Sequence, residues 1–372
     1  MSAYRLYSCN NQDNVSVSLI HGYKNQELLP LFEEQFFISE LKSGELFSGI
    51  IFFRKLRKWI KSNSKKFDVV HCLGGYHASF MTAKLFEEQG VPAFIKITES
   101  VNTGFNKSSF ISRILGLKRY RVKHANDITG YISISSEITR KLTSAGIQSS
   151  KIVEIPNGVD TDHFKPPCAK EKRKLRNKLG YDDIFTVLFT GGFSSRKNPC
   201  LLVKAFEKYY NSENIQLVLV GPDRDNGTER RCVLNLLSQY KVKNVTLLPF
   251  TSDILAYYQI ADIFVLPSIE EGLSNSMLEA QACGLPAIVT KISGAEDVIN
   301  ENINGRFVTL DVTSIINEID NYYNHPDLLR EHSRNAREKI SVEYSAVEMY
   351  KKHIDLFYSH THKKKNERMF RN

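Results

Sequence analysis

Twice along the chain, short runs rich in β-branched and aromatic residues alternate with stretches of helical periodicity, and this alternation limits the available folds most. Strands that alternate with helices build parallel sheets, because a parallel neighbour is reached only through a crossover segment. In the first half, strands are expected at Phe67–Cys72, Ala93–Thr98, Tyr131–Ser135 and Lys151–Ile155. Helices are expected at His77–Gln89, Phe110–Lys123 and Ser136–Ala145, the last closed by Gly146. In the second half, strands are expected at Thr186–Thr190, Gln216–Val220, Val245–Leu248, Ile263–Leu266, Ala287–Thr290 and Arg306–Val308. Helices are expected at Pro199–Tyr210, Thr228–Tyr240, Ser252–Ile260, Asn275–Cys283, Pro326–Ile340 and Ser345–Tyr358. A chain of 372 residues exceeds one ordinary core, so the two series read as two domains.

The turn Pro156-Asn157-Gly158-Val159-Asp160 ends the first series, and the charged, Pro-containing stretch Lys165–Lys178 reads as the hinge. The domains are expected at 1–160 and 161–344, with 345–372 a C-terminal helix returning to the first domain and a basic tail. The first strand-like run, Val15–Ile20, precedes a loop around His21-Gly22-Tyr23, and Ala3–Cys9 reads as the end of a helix. The customary opening strand, Gly-rich turn and most of the first helix are therefore read as missing.

Composition excludes several classes. At 42% apolar and 24% charged residues, the chain is an ordinary globular one rather than a disordered one. No apolar run approaches the roughly 18 residues that a membrane-spanning helix needs, and the N-terminus lacks a secretory pattern. The expected location is cytoplasmic. Six cysteines are spread out with no C-x-x-C pair, which reads as reduced thiols. His71, Cys72 and His77 fit no zinc spacing, so no metal site is expected. Part of the net charge of +9 is concentrated in 52–66, where Arg54, Lys55, Arg57, Lys58, Lys61, Lys65 and Lys66 interleave with Phe53, Leu56, Trp59 and Ile60. That segment suits an anionic membrane surface or a plain solvated helix face, with nucleic acid a weaker reading.

Two segments carry candidate chemistry. After the buried run Ile263–Leu266 comes a loop holding Glu271, then Ser274 as N-cap of a helix that contains Glu279 and stops at Gly284 before Pro286. On one helix, two residues eight apart diverge by about 80°, so Glu271 must rely on the loop to face the same ligand as Glu279; on spacing alone, a surface Glu271 and a Glu279 favoured only by the helix dipole stay open. The first-turn N–H groups, at Asn275 and Ser276, favour an anion. The other segment is Gly191-Gly192-Phe193-Ser194-Ser195-Arg196-Lys197, with Asn198 as N-cap and Pro199 at the first helical position. A glycine turn with two cations before a helix suits phosphate, while Arg196-Lys197 taken alone reads equally well as a solvated pair.

Together these segments resemble the retaining glycosyltransferases of family 4, which have the GT-B architecture. Glu271-Gly272-Leu273-Ser274-Asn275-Ser276-Met277-Leu278-Glu279-Ala280 is similar to the E-x7-E signature, and Gln281–Pro286 continues it. Pro156–Asp160, Gly294-Ala295-Glu296-Asp297-Val298-Ile299 and Asn304-Gly305 resemble further landmarks, the likeness running from about Asp68 onward. The resemblance implies two Rossmann-like domains facing each other across a cleft. It implies transfer of a sugar from a UDP- or GDP-sugar to a glycan or lipid-linked acceptor with retention, in cell-surface polysaccharide or lipopolysaccharide synthesis, with no further cofactor. Glu279 would hold the ribose and Glu271 the sugar, while Gly272, Leu273, Ser274 and Asn275 would present backbone to sugar or phosphate. Lys197 would bind the diphosphate, Gly191 would lie beside it, and Gly221 would flank the base. The family places an arginine where this chain has Gly192, and Arg196 is the expected substitute. Its N-domain histidine pattern is absent, with Lys96-Ile97-Thr98-Glu99-Ser100 in that region. No Asp-x-Asp arrangement sits in a convincing context, so Arg196 and Lys197 are expected to act in place of a metal. A sugar-nucleotide epimerase on the same architecture, or a donor-binding subunit without transfer activity, stays open.

Overall fold

The computed structural model describes residues 7, 15–21, 32–38, 46–75, 77–98, 117–181, 184–210 and 212–369. The chain divides into two units, Met1–Pro156 with Ala346–Asn372, and Asn157–Ser345. The reading of a missing first strand and glycine turn falls outside the described residues.

The first unit opens with a parallel pair, β1 (Ser18–His21) and β2 (Glu34–Phe37). Helix α1 (Leu46–Asn63) buries Phe52, Leu56 and Ile60, four residues apart and so on one stripe, against Leu85, Phe86 and Val91. Arg54, Lys55, Arg57, Lys58 and Lys61 stay exposed. Then β3 (Val70–Leu73), α2 (His77–Glu87), β4 (Ala93–Ile97), α3 (Leu117–His124), β5 (Gly130–Ser133), α4 (Ser136–Ser144) and β6 (Ile152–Glu154) follow. Strands β3 to β6 lie in sequence order in one parallel sheet. The expected helix Phe110–Lys123 is seen only from Leu117, since 110–116 lie outside the described residues.

The second unit begins with a correction. The stretch expected as a hinge folds as α5 (Ala169–Leu179), ended by Gly180 at φ +78°. Lys172 and Arg176 reach Asp262 at 2.9 and 2.6 Å, and Asp262 also accepts from the Thr186 N–H at 2.9 Å. The charges that looked like solvated linker anchor this helix to two strands. The units divide at Pro156 and Asn157 instead.

The remaining elements are β7 (Phe185–Thr190), α6 (Pro199–Phe206), β8 (Ile215–Val220), α7 (Thr228–Tyr240), β9 (Val245–Leu248), α8 (Ile254–Ile260), β10 (Ile263–Leu266), α9 (Asn275–Ala282), β11 (Ala287–Thr290), α10 (Ala295–Val298), β12 (Gly305–Val308), α11 (Val312–Asn324) and α12 (Pro326–Glu343). The parallel sheet has the order β12-β11-β10-β7-β8-β9. Apart from Phe185 at the start of β7, its central strands are buried, which is why they read as largely apolar runs. The chain winds outward from β7 to β9, then crosses back to β10 and winds the other way. This places the topological switch between β7 and β10. The chain then rejoins the first unit as α13 (Ala346–Met369), where Met349, Tyr350, Ile354 and Phe357 cover Phe94, Ile132 and Ile155.

Candidate functional site

Because all six strands of the second unit are parallel, the loops after β7, β8, β10 and β11 share one edge, the edge where open α/β sheets bind ligands. Those loops are tied together through backbone. Ile269 donates to the Arg196 carbonyl at 2.8 Å, and Phe193 donates to the Pro222 carbonyl at 2.9 Å. Gly221 is obligatory here, since a Cβ on it would lie 1.8 Å from the Gly191 carbonyl oxygen. Gly294, at φ +72°, is held the same way, its Cβ position 2.2 Å from the Gly272 carbonyl oxygen. It braces the segment Glu271–Leu273 from the β11 side, and Ser293 Oγ donates to the Gly272 carbonyl at 3.4 Å.

Glu271 is buried, yet its carboxylate collects three donors. Lys197 Nζ lies 2.6 Å from Oε1, Ser268 Oγ donates to the same oxygen at 3.1 Å, and Arg196 Nη1 donates to Oε2 at 3.0 Å. Arg196 also donates to the Glu270 carbonyl at 3.0 Å. The Lys197 stem runs over Gly191, whose absent side chain leaves ordinary contact distance, 3.5 Å, between the Cβ position and the lysine. Burial draws the Lys197 ammonium below its ordinary pKa, while Glu271 beside it, and more weakly Glu279, pull the other way. Glu271 thus sits on the half-buried Lys197, with Glu279 acting more weakly on the same charge.

Glu279 is buried on α9 and accepts from Tyr258 Oη at 2.9 Å, and that phenol oxygen lies 2.7 Å from Thr190 Oγ1 at the end of β7. Burial, then the neighbouring Glu279, hold the Tyr258 phenol far above its ordinary pKa. Ser274 caps α9 as expected, accepting from the Met277 N–H at 3.4 Å. Asn275 is half-buried at the first position of that helix, and Leu273 is buried beneath the loop. Asn198 departs from expectation. It adopts a left-handed conformation, φ +53°, and its side chain caps nothing, although Pro199 does open α6.

Arg196 lies where its sequence suggested a substitute cation, but it is spent on Glu271 and half exposed. A second arginine covers Gly192: a Cβ there would meet Arg224 Cγ at 2.9 Å. Sequence reasoning missed Arg224, Tyr258, Thr190 and Ser268. It named Gly294 only as the opening of the landmark Gly294–Ile299, without a role.

Comparison with known proteins fits this geometry. The glycosyltransferase family 4 model matches residues 31–163, and the glycosyl transferases group 1 model matches residues 171–339. The chain belongs to the glycosyltransferases, carrying a family 4 domain followed by a group 1 domain. It is similar to the Bacillus subtilis protein EpsD, which bears a glycosyltransferase name, at 26% identity over 89% of this chain and 86% of the relative. It is 31% identical to the Escherichia coli UDP-Gal:alpha-D-GlcNAc-diphosphoundecaprenol alpha-1,3-galactosyltransferase over 57% of this chain and 55% of that one. Among solved structures, Anabaena Alr3699/HepE in complex with UDP shares the fold, with a TM-score of 0.75, 18% identity, and 88% and 86% of the two chains covered.

Proposed function

We propose that this chain transfers a sugar from a UDP- or GDP-sugar to a glycan or lipid-linked acceptor, with retention of anomeric configuration, in the synthesis of a cell-surface polysaccharide or lipopolysaccharide. The observation that carries the reading is the Glu271 carboxylate held by Lys197 at 2.6 Å and Arg196 at 3.0 Å at the switch point of the second unit. A nucleotide-sugar presents hydroxyls and a diphosphate close together, and this site presents carboxylates and cations close together. Glu279 takes the ribose hydroxyls, with Tyr258 fixing its carboxylate. Glu271 takes hydroxyls of the sugar. Lys197 and Arg196 shift from Glu271 towards the diphosphate, whose negative charge grows as the glycosidic bond breaks. They serve in place of a metal ion. The N–H groups of Leu273, Ser274 and Asn275 add neutral donors at the helix terminus, and Gly191, Gly221 and Gly272 line the loops at the same edge, Gly221 leaving room for the Gly191 carbonyl.

The first unit supplies the acceptor side. The name of the Escherichia coli relative specifies a diphosphoundecaprenol acceptor, which supports a lipid-linked acceptor here. Helix α1 spends its apolar stripe on the core and turns its basic face outward, with Ile50 and Ile51 exposed near its start. We assign that face to peripheral contact with an anionic membrane, on its inner surface. No helix of the described residues is long and apolar enough to cross a membrane.

Calorimetry with UDP and GDP tests the donor assignment. A hydrogen bond to a charged group contributes about 1.5–3 kcal/mol, so Glu279→Ala should weaken nucleotide binding roughly 10- to 100-fold. Undiminished affinity would remove Glu279 from the ribose. The product's anomeric configuration, read by NMR, tests retention, and activity that survives EDTA tests the metal-free reading. Conversion of the donor with no acceptor present would make the chain an epimerase instead.

A further inference from the structure

Away from the carboxylate site, α6 and α7 pack side by side and bring three soft and hard donors together. Cys200 is the second residue of α6. Glu229 and Cys232 are three apart on α7, hence on one face. Cys200 Sγ donates to Glu229 Oε2 at 3.3 Å, and the ligand atoms of all three side chains lie within 4.8 Å of one another. Among the described residues this is the one group of three potential ligand atoms gathered so closely.

We propose that Cys200, Glu229 and Cys232 form a zinc site. Tetrahedral zinc with bonds of about 2.3 Å to sulfur and about 2.0–2.2 Å to oxygen sets ligand separations of roughly 3.5–3.8 Å. The three atoms already approach this spacing, so an ion is accommodated by shifts on the order of 1 Å. Two thiolates select zinc over magnesium or calcium. Cys200 is buried, whereas Glu229 and Cys232 are half-buried, so water reaches the fourth position. On binding, each thiol releases its proton to solvent as its sulfur–zinc bond forms, and the Glu229 carboxylate exchanges its thiol hydrogen bond for the metal. The adjacent cations do not compete for that carboxylate. Arg230 pairs with Asp223 at 3.3 Å, and Arg231 donates to the Asn226 carbonyl at 3.0 Å.

The site also lies where it matters mechanically. Cys200 follows Lys197 by three residues, and Glu229 follows the loop whose Arg224 covers Gly192. One ion would therefore staple the loop after β7 to the loop after β8.

The test uses the full chain, reduced with a non-chelating phosphine and stripped with EDTA. Zinc chloride is titrated against a chromophoric competitor, and cobalt chloride is added in parallel. One zinc per chain should bind, and cobalt should give thiolate charge-transfer absorption with tetrahedral visible bands. Cys232→Ser, at a half-exposed position, should weaken zinc at least about tenfold and lose part of the charge-transfer intensity. Cys168→Ser, at an exposed and separate thiol, should change neither. Thermal melts of stripped and zinc-loaded chain should differ in the parent and coincide in Cys232→Ser, with stripped parent and variant melting alike. Equal zinc affinity in parent and Cys232→Ser overturns the proposal. So does absence of the cobalt thiolate band, or a chain that forms a Cys200–Cys232 disulfide under oxidant yet takes up no zinc when reduced.

Discussion

Lys197 carries one charge and two duties. It neutralises Glu271 in a buried pocket at 2.6 Å, and in the proposed reaction it receives the leaving diphosphate. Removing one partner of a buried pair costs about 3–5 kcal/mol because the other charge is stranded. Here Arg196 and Ser268 still hold Glu271, so Lys197→Met should cost less, about 1–3 kcal/mol by urea titration. The variant should also lose turnover while retaining a folded second unit. Gly221→Ala is a sharper case. Its Cβ would lie 1.8 Å from a backbone oxygen that no rotamer can move, so a loss of about 3 kcal/mol or more is expected in the same titration. Glu271, Glu279 and Ser274 were legible because loop, cap and helix follow one another in sequence. Tyr258, Thr190 and Ser268 were not. Tyr258 and Thr190 act on residues brought near by the tertiary fold, and Ser268, though only three residues before Glu271, lies in a loop whose irregular path leaves no fixed spacing to read.

At the scale of elements, the central strands of the second unit were read almost to the residue, because a strand buried on both faces is an unbroken apolar run between turn signals. Helix α5 was misread because its sequence, AKEKRKLRNKL, has almost no apolar stripe. Its attachment is ionic, and ionic attachment looks like linker until the acceptor is known. Asp262→Ala tests this. It strands Lys172 and Arg176 and leaves the Thr186 N–H without its acceptor, so a loss of about 3 kcal/mol is expected in the unfolding of the second unit. Helix α13 gives a converse case. Met349, Tyr350, Ile354 and Phe357 each contribute roughly 1.5–3 kcal/mol of burial, together comparable with the ~5–15 kcal/mol that holds a whole domain. A chain ended after Ser345 should lose the cooperative melt of the first unit and keep that of the second, by calorimetry. The zinc triad was invisible in sequence for the same reason as Tyr258: Cys200 and Cys232 belong to different helices, and no short spacing joins them.

Across the whole molecule, the first unit holds an unusual titrating core. Lys96 on β4 lies 3.4 Å from His353 on α13, and His71 on β3 lies 2.8 Å from the Tyr7 hydroxyl, with Tyr350 nearby. Burial holds the His353 imidazole down to about 3 and the Lys96 ammonium down to about 7. Both groups bind fewer protons folded than unfolded. His353 therefore contributes stability above about pH 6.5 that is lost progressively as pH falls towards 3, at most about 1.4 kcal/mol per pH unit. Lys96 is most costly below about pH 7, and the cost fades as pH rises towards 10. Lys96→Met should thus raise the stability of the first unit by about 1–4 kcal/mol at pH 6, and the two proteins should converge near pH 10 in calorimetric scans. Acidification to pH 5 should lower the melt of the first unit more than that of the second.

The placement of α13 also imposes an order on biosynthesis. The strands of the first unit leave the ribosome early, but the helix that covers Phe94, Ile132 and Ile155 is translated only after all of Asn157–Ser345. At roughly 5–20 residues per second, that interval lasts on the order of ten to forty seconds. The second unit, a single uninterrupted stretch, can complete itself on the nascent chain. The half made first is the half finished last, and until then its uncovered apolar surface depends on whatever the cell supplies to shield it.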